Sequence, residues 1–192
     1  MFLVLHGQTE WNRDGRLQGH SDSPLTDEGC RQAERAGTIL RAHLRGPARI
    51  IASPLGRTQA TARIVARCLD QPESSIETDI RIAELRLGCW EGLDRGQISS
   101  GWPDRWKGPT RNSWFFNAPD GEDYDAIRAR LRSWYTSFDE HDSIVAVSHG
   151  IAGRVLRGIH QTLDKNTVCE LEVARDAPFH LHANGVEKLA LP

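Results

Sequence analysis

The sequence lacks the features that would direct it to a membrane or to a nucleic acid. No apolar run is long enough to span a bilayer, and the opening residues, MFLVLHG, contain neither a basic segment nor an extended apolar stretch. The formal net charge is only −2, and the basic residues are mixed with acidic ones instead of forming a tract. We therefore expect no membrane and no nucleic acid as partner, and the cytoplasm as the default location.

Cysteine is scarce, and repeats are missing altogether. The four cysteines, at positions 30, 68, 89 and 169, are far apart and show no C-x-x-C spacing, which is typical of reduced, mostly packed thiols. The 192 residues contain no internal repeat, no low-complexity segment and no second compositional block. A single domain over residues 1–192 is the prediction.

What the sequence does contain is an alternation of apolar runs and helical patterns, which is typical of a layered α/β domain. Unbroken apolar runs predict buried strands at 2–5, 49–52 and 144–147, and a strand-like run at 80–83. Short strands at 169–173, 179–182 and 186–191 would complete the sheet. One helix is predicted to begin after Thr26, which can act as its N-cap. Further helices are predicted at 57–69, 124–138 and 151–159.

Residues 92–122 have little periodicity and are rich in glycine, proline and tryptophan. Such a segment is typical of an excursion over a binding site, and we interpret it as a lid-like insertion. Its aromatic residues either form a wall for an apolar part of a substrate or pack the lid against the domain. Its basic residues either bind a second anionic group of the substrate or are solvated. These side chains are Trp102, Trp106, Trp114, Phe115 and Phe116, and Arg105, Lys107 and Arg111.

Two of the predicted strands end in the same dipeptide, His6-Gly7 and His149-Gly150. The carboxyl ends of adjacent parallel strands line the crevice where ligands bind, and glycine allows close approach of a ligand to the backbone. A single histidine at a strand end is more often satisfied by the backbone. The pair, together with Arg57 after a third strand, favours a shared site.

Phosphoryl transfer is the chemistry that suits these groups. A neutral imidazole is nucleophilic near neutral pH, so His6 could attack phosphorus without a base to activate it. Arg57, Asn12 and His149 would donate hydrogen bonds to the charged oxygens, and Glu84 would protonate the leaving alkoxide. None of these roles needs a metal, and we predict neither a metal nor a cofactor.

Six motifs in order resemble the histidine phosphatase superfamily, also called phosphoglycerate mutase-like. The resemblance implies a three-layer αβα sandwich with a mostly parallel central sheet and a small phosphorylated metabolite as substrate. It implies His6 as phospho-acceptor, Arg57 and His149 as pocket donors, Glu84 as proton donor, and a substrate-binding set of Gly7, Asn12, Gln18 and Gly150. The motifs are His6-Gly7-Gln8-Thr9-x-x-Asn12, Gln18-Gly19 with Pro24-Leu25-Thr26, Ser53-Pro54-x-x-Arg57-x-x-x-Thr61-Ala62, Glu84 to Gly92, Gly121-Glu122 and Ser148-His149-Gly150.

Leu5 departs from the family pattern. The family signature begins Arg-His-Gly, with an arginine that binds the phosphate, whereas this chain has Leu5-His6-Gly7. The loss of a charge-assisted, bidentate contact would weaken transition-state binding by roughly a hundredfold. A different register of the first strand would explain the leucine. Another arginine that reaches the pocket would also explain it, although each candidate arginine is more often a solvated surface charge. The arginines considered are Arg13, Arg16, Arg86 and Arg154.

The favoured function is a metal-independent phosphatase that hydrolyses small phosphomonoesters through a phosphohistidine at His6. Two alternatives stay open: a phosphoglycerate mutase, and a pseudoenzyme weakened by Leu5 that binds a phosphorylated ligand or a partner protein. The family's mutases carry a longer insertion, so the chain is more similar to the small phosphatases. A homodimer is also left open.

His180-x-His182 places two histidines on one face of a predicted strand. No acidic or cysteine partner lies at a useful spacing, so we interpret them as a strand-surface pair and not as metal ligands.

Overall fold

One six-stranded sheet organises the computed structural model, which describes residues 1–106, 113–139 and 142–191. The strand order is β3-β2-β4-β1-β5-β6; the first four strands in this order pair in parallel, and β5 and β6 are antiparallel. The predicted mostly parallel α/β fold is therefore confirmed. The strands are β1 (Phe2–Leu5), β2 (Arg49–Ala52), β3 (Glu77–Thr78), β4 (Ile144–Ser148), β5 (Phe179–His182) and β6 (Gly185–Lys188).

Eight α-helices occur within the described residues. Polar side chains begin several of them, as where Thr26 accepts the Gly29 N–H and Asp123 accepts the Ala126 N–H. None of the described helices has the length and apolar character needed to cross a membrane. The helices are α1 (Glu10–Arg13), α2 (Asp27–His43), α3 (Gly56–Cys68), α4 (Arg95–Gly101), α5 (Pro103–Trp106), α6 (Tyr124–Tyr135), α7 (Gly150–Gln161) and α8 (Lys165–Glu170).

The side chains of β1 separate the two helical layers. Leu3 and Leu5 lie in a core with residues of α6 and α7, whereas Phe2 and Val4 lie in a core with residues of α2 and α3. Alternation along a strand sends neighbouring side chains to opposite faces of the sheet. The three-layer αβα arrangement follows directly from this pattern.

Two segments differ from their predicted conformation. Residues Ile80–Ile82 form a 3₁₀ turn and not a strand, because the Asp79 side chain accepts the Arg81 N–H and caps the turn. The predicted strand at 169–173 was wrong, since α8 extends to Glu170. Asp164 caps α8 by accepting the N–H groups of residues 166 and 167, so a local capping bond outweighs the short apolar run.

The described part of the 92–122 segment is held down by aromatic packing. Trp114 is buried, and its ring centroid lies 5.8 Å from that of Trp90 and 4.5 Å from that of Trp106. The segment also contains α4, whose capping box joins Asp94 and Gln97. Lys107 and Arg111 lie outside the described residues. Among the four cysteines only Cys169 is buried, and no disulfide joins described residues.

Candidate active site

His6 and His149 meet at the carboxyl edge of the sheet. They follow β1 and β4, which are parallel neighbours, and their ring centroids are 5.3 Å apart. Both side chains are buried. The sheet therefore brings together the two histidines that the strand-end pattern had linked.

A hydrogen bond fixes the tautomer of His6, and burial together with a nearby charge keeps its ring neutral. Its Nδ1 lies 2.8 Å from the Gly7 carbonyl oxygen. Because a carbonyl only accepts, Nδ1 carries the hydrogen and Nε2 keeps its lone pair. Burial, and secondly the positive charge of Arg57, hold the pKa of His6 well below its ordinary value of 6.5. The imidazole is thus neutral and nucleophilic at physiological pH.

Arg57 presents part of its guanidinium to the same site. Its Nη1 donates to the Ser21 carbonyl and to Asp22 Oδ1 at 2.8 and 2.9 Å, and its Nη2 donates to the Gly19 carbonyl at 2.7 Å. These bonds use three of the five N–H groups. Nε is buried and has no partner among the described residues. Two N–H groups, one on Nε and one on Nη2, therefore remain for the oxygens of a ligand.

His149 also has a buried nitrogen that is available to a ligand. Its Nε2 lies 2.8 Å from Ser53 Oγ, while its Nδ1 has no partner in the described part of the chain. Burial, followed by the charge of Arg57 and the proximity of His6, lowers the pKa of His149 well below 6.5. Buried polar atoms without partners are costly, so unpaired groups on His149 and Arg57 beside His6 indicate a site built for a polar ligand.

Glu84 is fixed at the start of α7. Its Oε1 accepts the N–H groups of Leu85 and Ala152, both at 2.9 Å, and its Oε2 accepts the Ile151 N–H at 3.1 Å. Oε2 has only one of these bonds, which leaves a lone pair available for a proton.

Arg130 holds the backbone that leads to Glu84. It donates to the carbonyl oxygens of Arg81, Ala83 and Glu84 at 2.8 to 2.9 Å and pairs with Glu122 at 2.7 Å. The Gly121-Glu122 motif was noted in the sequence, but its partner Arg130 was missed. Arg130 is therefore a positioning residue for the candidate acid.

A cavity of about 260 Å³ joins most of these groups. Gly7 and His149 are not among its lining residues; a Cβ on Gly7 would lie 2.1 Å from the Gly29 carbonyl oxygen, so backbone packing explains this glycine. Of the predicted site residues, those that line the cavity are His6, Asn12, Gln18, Arg57, Glu84 and Gly150.

Leu5 does not line this cavity. Its side chain is buried in the core on the α7 side, where its Cδ2 would lie 2.8 Å from a Cβ added to Gly153. Leu5, which directly precedes His6, pairs with Ser148, which directly precedes His149, so the two His-Gly pairs are in matching register at the ends of β1 and β4. A shift of register therefore does not explain the leucine.

Five arginines nevertheless line the cavity within the described residues. Arg16 and Arg154 were predicted candidates, whereas Arg13 pairs with Asp14 at the surface and Arg86 lines a different cavity. Arg57 was also predicted, and sequence reasoning missed the other two, Arg95 and Arg175.

Arg175 interacts electrostatically with His6 and Glu84. Its positive charge contributes to the lowered pKa of His6, and the Glu84 carboxylate in turn opposes the effect of burial, which lowers the pKa of Arg175. It lies in the irregular segment between α8 and β5, where no periodicity or motif could have revealed it.

A family model described as the histidine phosphatase superfamily (branch 1) matches residues 1–177. The chain belongs to the histidine phosphatase superfamily. Superfamily members are phosphatases or mutases, so membership supports phosphoryl chemistry at this site without fixing the reaction.

Curated relatives of this superfamily member include proteins named probable phosphoglycerate mutase GpmB. Those of Enterobacter sp. (strain 638) and Klebsiella pneumoniae (strain 342) are each 37% identical over 158 residues, which cover 79% of this chain and 70% of the relative. Solved structures of the same fold include Bacillus stearothermophilus YhfR, with 27% identity, a TM-score of 0.81 and coverage of 97% of this chain and 93% of that one. A mycobacterial glucosyl-3-phosphoglycerate phosphatase in complex with VO3 has 26% identity, a TM-score of 0.76 and coverage of 100% and 97%.

Proposed function

We propose that the protein is a metal-independent phosphatase that hydrolyses small phosphomonoesters through a phosphohistidine at His6. The observation that carries this proposal is the fixed tautomer of His6, whose Nδ1 is bonded to the Gly7 carbonyl while Nε2 belongs to a residue that lines a cavity rich in arginine. The similarity to a glucosyl-3-phosphoglycerate phosphatase supports it.

The reaction would take place in two steps. His6 Nε2 attacks phosphorus, the P–O bond of the ester breaks, and Glu84 gives its proton to the departing alkoxide. Water then attacks the phosphohistidine, Glu84 takes a proton from that water, the P–N bond breaks, and inorganic phosphate leaves. The unpaired N–H groups of Arg57 would stabilise the charge on the equatorial oxygens in both steps. His149 would assist in the tautomer in which Ser53 Oγ donates to Nε2 and Nδ1 carries the hydrogen.

Arg175 would supply the positive charge that Leu5 cannot. Its place in the cavity lining together with His6 and Glu84 suits a guanidinium that contacts the transferring phosphoryl group. The chain would then keep two arginines, Arg57 and Arg175, at the phosphate, although the second comes from a different part of the fold. This arrangement argues against a pseudoenzyme.

A phosphoglycerate mutase is the second candidate, because curated relatives carry that name. Such an enzyme would require a bisphosphorylated primer for His6 and would convert 3-phosphoglycerate without net release of phosphate. An assay of both reactions separates the two candidates.

Hydrolysis of a panel of phosphomonoesters by EDTA-treated protein tests the proposed function. We expect phosphate release at a rate that EDTA leaves unchanged, because the residues assigned to each step act without a metal. A loss of turnover that magnesium or zinc restores would contradict the mechanism. Phosphate release from no ester, with binding intact, would favour a phospho-ligand-binding protein.

Arg175→Met is expected to lower kcat/KM for p-nitrophenyl phosphate by roughly a hundredfold, the effect of losing a charge-assisted bidentate contact. Inhibition by orthovanadate, which resembles the pentacoordinate transition state, should weaken by a similar factor. Arg175→Lys should restore part of both effects, and Arg132→Met, at an exposed position on α6, should change neither. A folded Arg175→Met protein with unaltered vanadate inhibition would exclude this role.

A further inference from the structure

The hairpin of β5 and β6 brings together three metal-ligating side chains far from the His6 cavity. His180 pairs with Glu187 across the hairpin, and His182 pairs with Gly185. Residues directly opposite each other in an antiparallel pair project to the same face, as do residues two apart along a strand. His180, His182 and Glu187 therefore share one face, and an acidic partner lies beside the histidine pair after all.

The distances within this cluster suit a small cation. One potential ligand atom from each of the three residues lies within 4.8 Å of the other two, and the two imidazole centroids are 5.0 Å apart. Ligand atoms on a tetrahedral zinc ion are roughly 3.4 Å apart, given bonds of about 2.0 to 2.1 Å. Glu187 is exposed and His182 is half-buried, so both side chains have room to close the remaining gap.

The surroundings prepare the two histidines as ligands. His180 stacks on Phe2 with a centroid distance of 4.5 Å and an interplanar angle of 9°, which holds its ring in place. His182 Nδ1 accepts the Asn184 N–H at 3.3 Å, a long bond that an ion would replace.

A cavity adjoins the two histidines. It measures about 690 Å³ and is lined by His180 and His182 together with Tyr135, Asp139 and Asp142. It also contains Met1 and Ile144, which lie at the amino ends of β1 and β4, so it opens at the edge of the sheet opposite His6. Three protein ligands leave coordination positions open for water or for a molecule bound in this cavity.

We propose that His180, His182 and Glu187 form a binding site for a divalent transition-metal ion of the zinc class. Two imidazole nitrogens and one carboxylate oxygen are a donor set that Zn²⁺, Ni²⁺ and Cu²⁺ accept, whereas Mg²⁺ requires oxygen ligands. The ion would join β5 to the edge strand β6 and take no part in the reaction at His6.

Zinc titration of the full chain, stripped of metal with EDTA and then desalted, tests this site. We expect one Zn²⁺ per chain, a rise in melting temperature with zinc, and no response to Mg²⁺. His182→Asn and Glu187→Gln should each weaken zinc binding by about tenfold or more, and Co²⁺ should give visible absorption bands that both variants lose. Glu187→Gln is nearly isosteric at an exposed position, so its folding should be preserved.

Two control variants distinguish this site from other histidines. His43 lies near His180 but outside the cluster, and its Nδ1 is 2.9 Å from the Ile39 carbonyl oxygen. His43→Asn should therefore leave the zinc affinity unchanged. His6→Asn should also leave it unchanged. Loss of zinc binding in His6→Asn, equal affinity in the parent and both ligand variants, or the absence of binding below millimolar zinc would each overturn the proposal.

Discussion

Replacing His6 by alanine is expected to lower kcat/KM for phosphomonoesters by at least a thousandfold, since the variant has no atom on which the covalent intermediate can form. The parent protein, stopped by rapid quenching during turnover, should carry phosphate on His6. That phosphate should be stable to base and labile to acid, as expected of a phosphoramidate, and mass spectrometry of the quenched protein should place it on this residue.

His43→Ala is a matched control for this experiment. It removes a histidine at the end of α2, and this residue does not line the His6 cavity. It should keep full activity, and melting curves should show that both variants are folded. Full turnover in a folded His6→Ala protein, or phosphate found on another residue, would be incompatible with His6 as the nucleophile.

Glu84→Gln is expected to lower kcat/KM for alkyl phosphates by about a hundredfold to ten-thousandfold, the usual contribution of a general acid. The loss should be much smaller for p-nitrophenyl phosphate, because nitrophenolate leaves without a proton. The substitution keeps the length of the side chain. Both carboxylate oxygens of Glu84 accept backbone N–H groups at the start of α7, whereas the NH₂ group of glutamine cannot accept one. Steady-state kinetics on the two ester types measure the difference.

A purely structural role for Glu84 predicts a different result. Glu122→Gln weakens the pairing with Arg130, which holds the backbone that leads to Glu84, and should therefore slow alkyl phosphates more than p-nitrophenyl phosphate, in the same sense as Glu84→Gln but by a smaller factor. If Glu84→Gln instead slowed both esters equally, Glu84 would be a structural residue at the start of α7 and another group would have to donate the proton.

Local patterns in the sequence determined the elements that position the histidines. Unbroken apolar runs predicted β1, β2 and β4, and Thr26 was identified as the cap of α2. Because parallel strands end at one edge, the His-Gly pairs that follow β1 and β4 were expected to meet, and their rings do lie 5.3 Å apart. Ordered motifs then indicated the superfamily, which the family model shows.

Only the tertiary structure decided which charges surround those histidines. Arg175 lies in an irregular segment without a pattern, and it reaches the cavity because the chain from α8 to β5 passes beside His6. Leu5 occupies the position of the family's phosphate-binding arginine, but strand alternation directs its side chain toward Gly153 and the core. Likewise, Glu187 joins His180 through antiparallel register and not through spacing along the chain. Periodicity reports which face of an element is buried, whereas contacts between distant residues depend on how the elements pack, and packing set the electrostatics of this site.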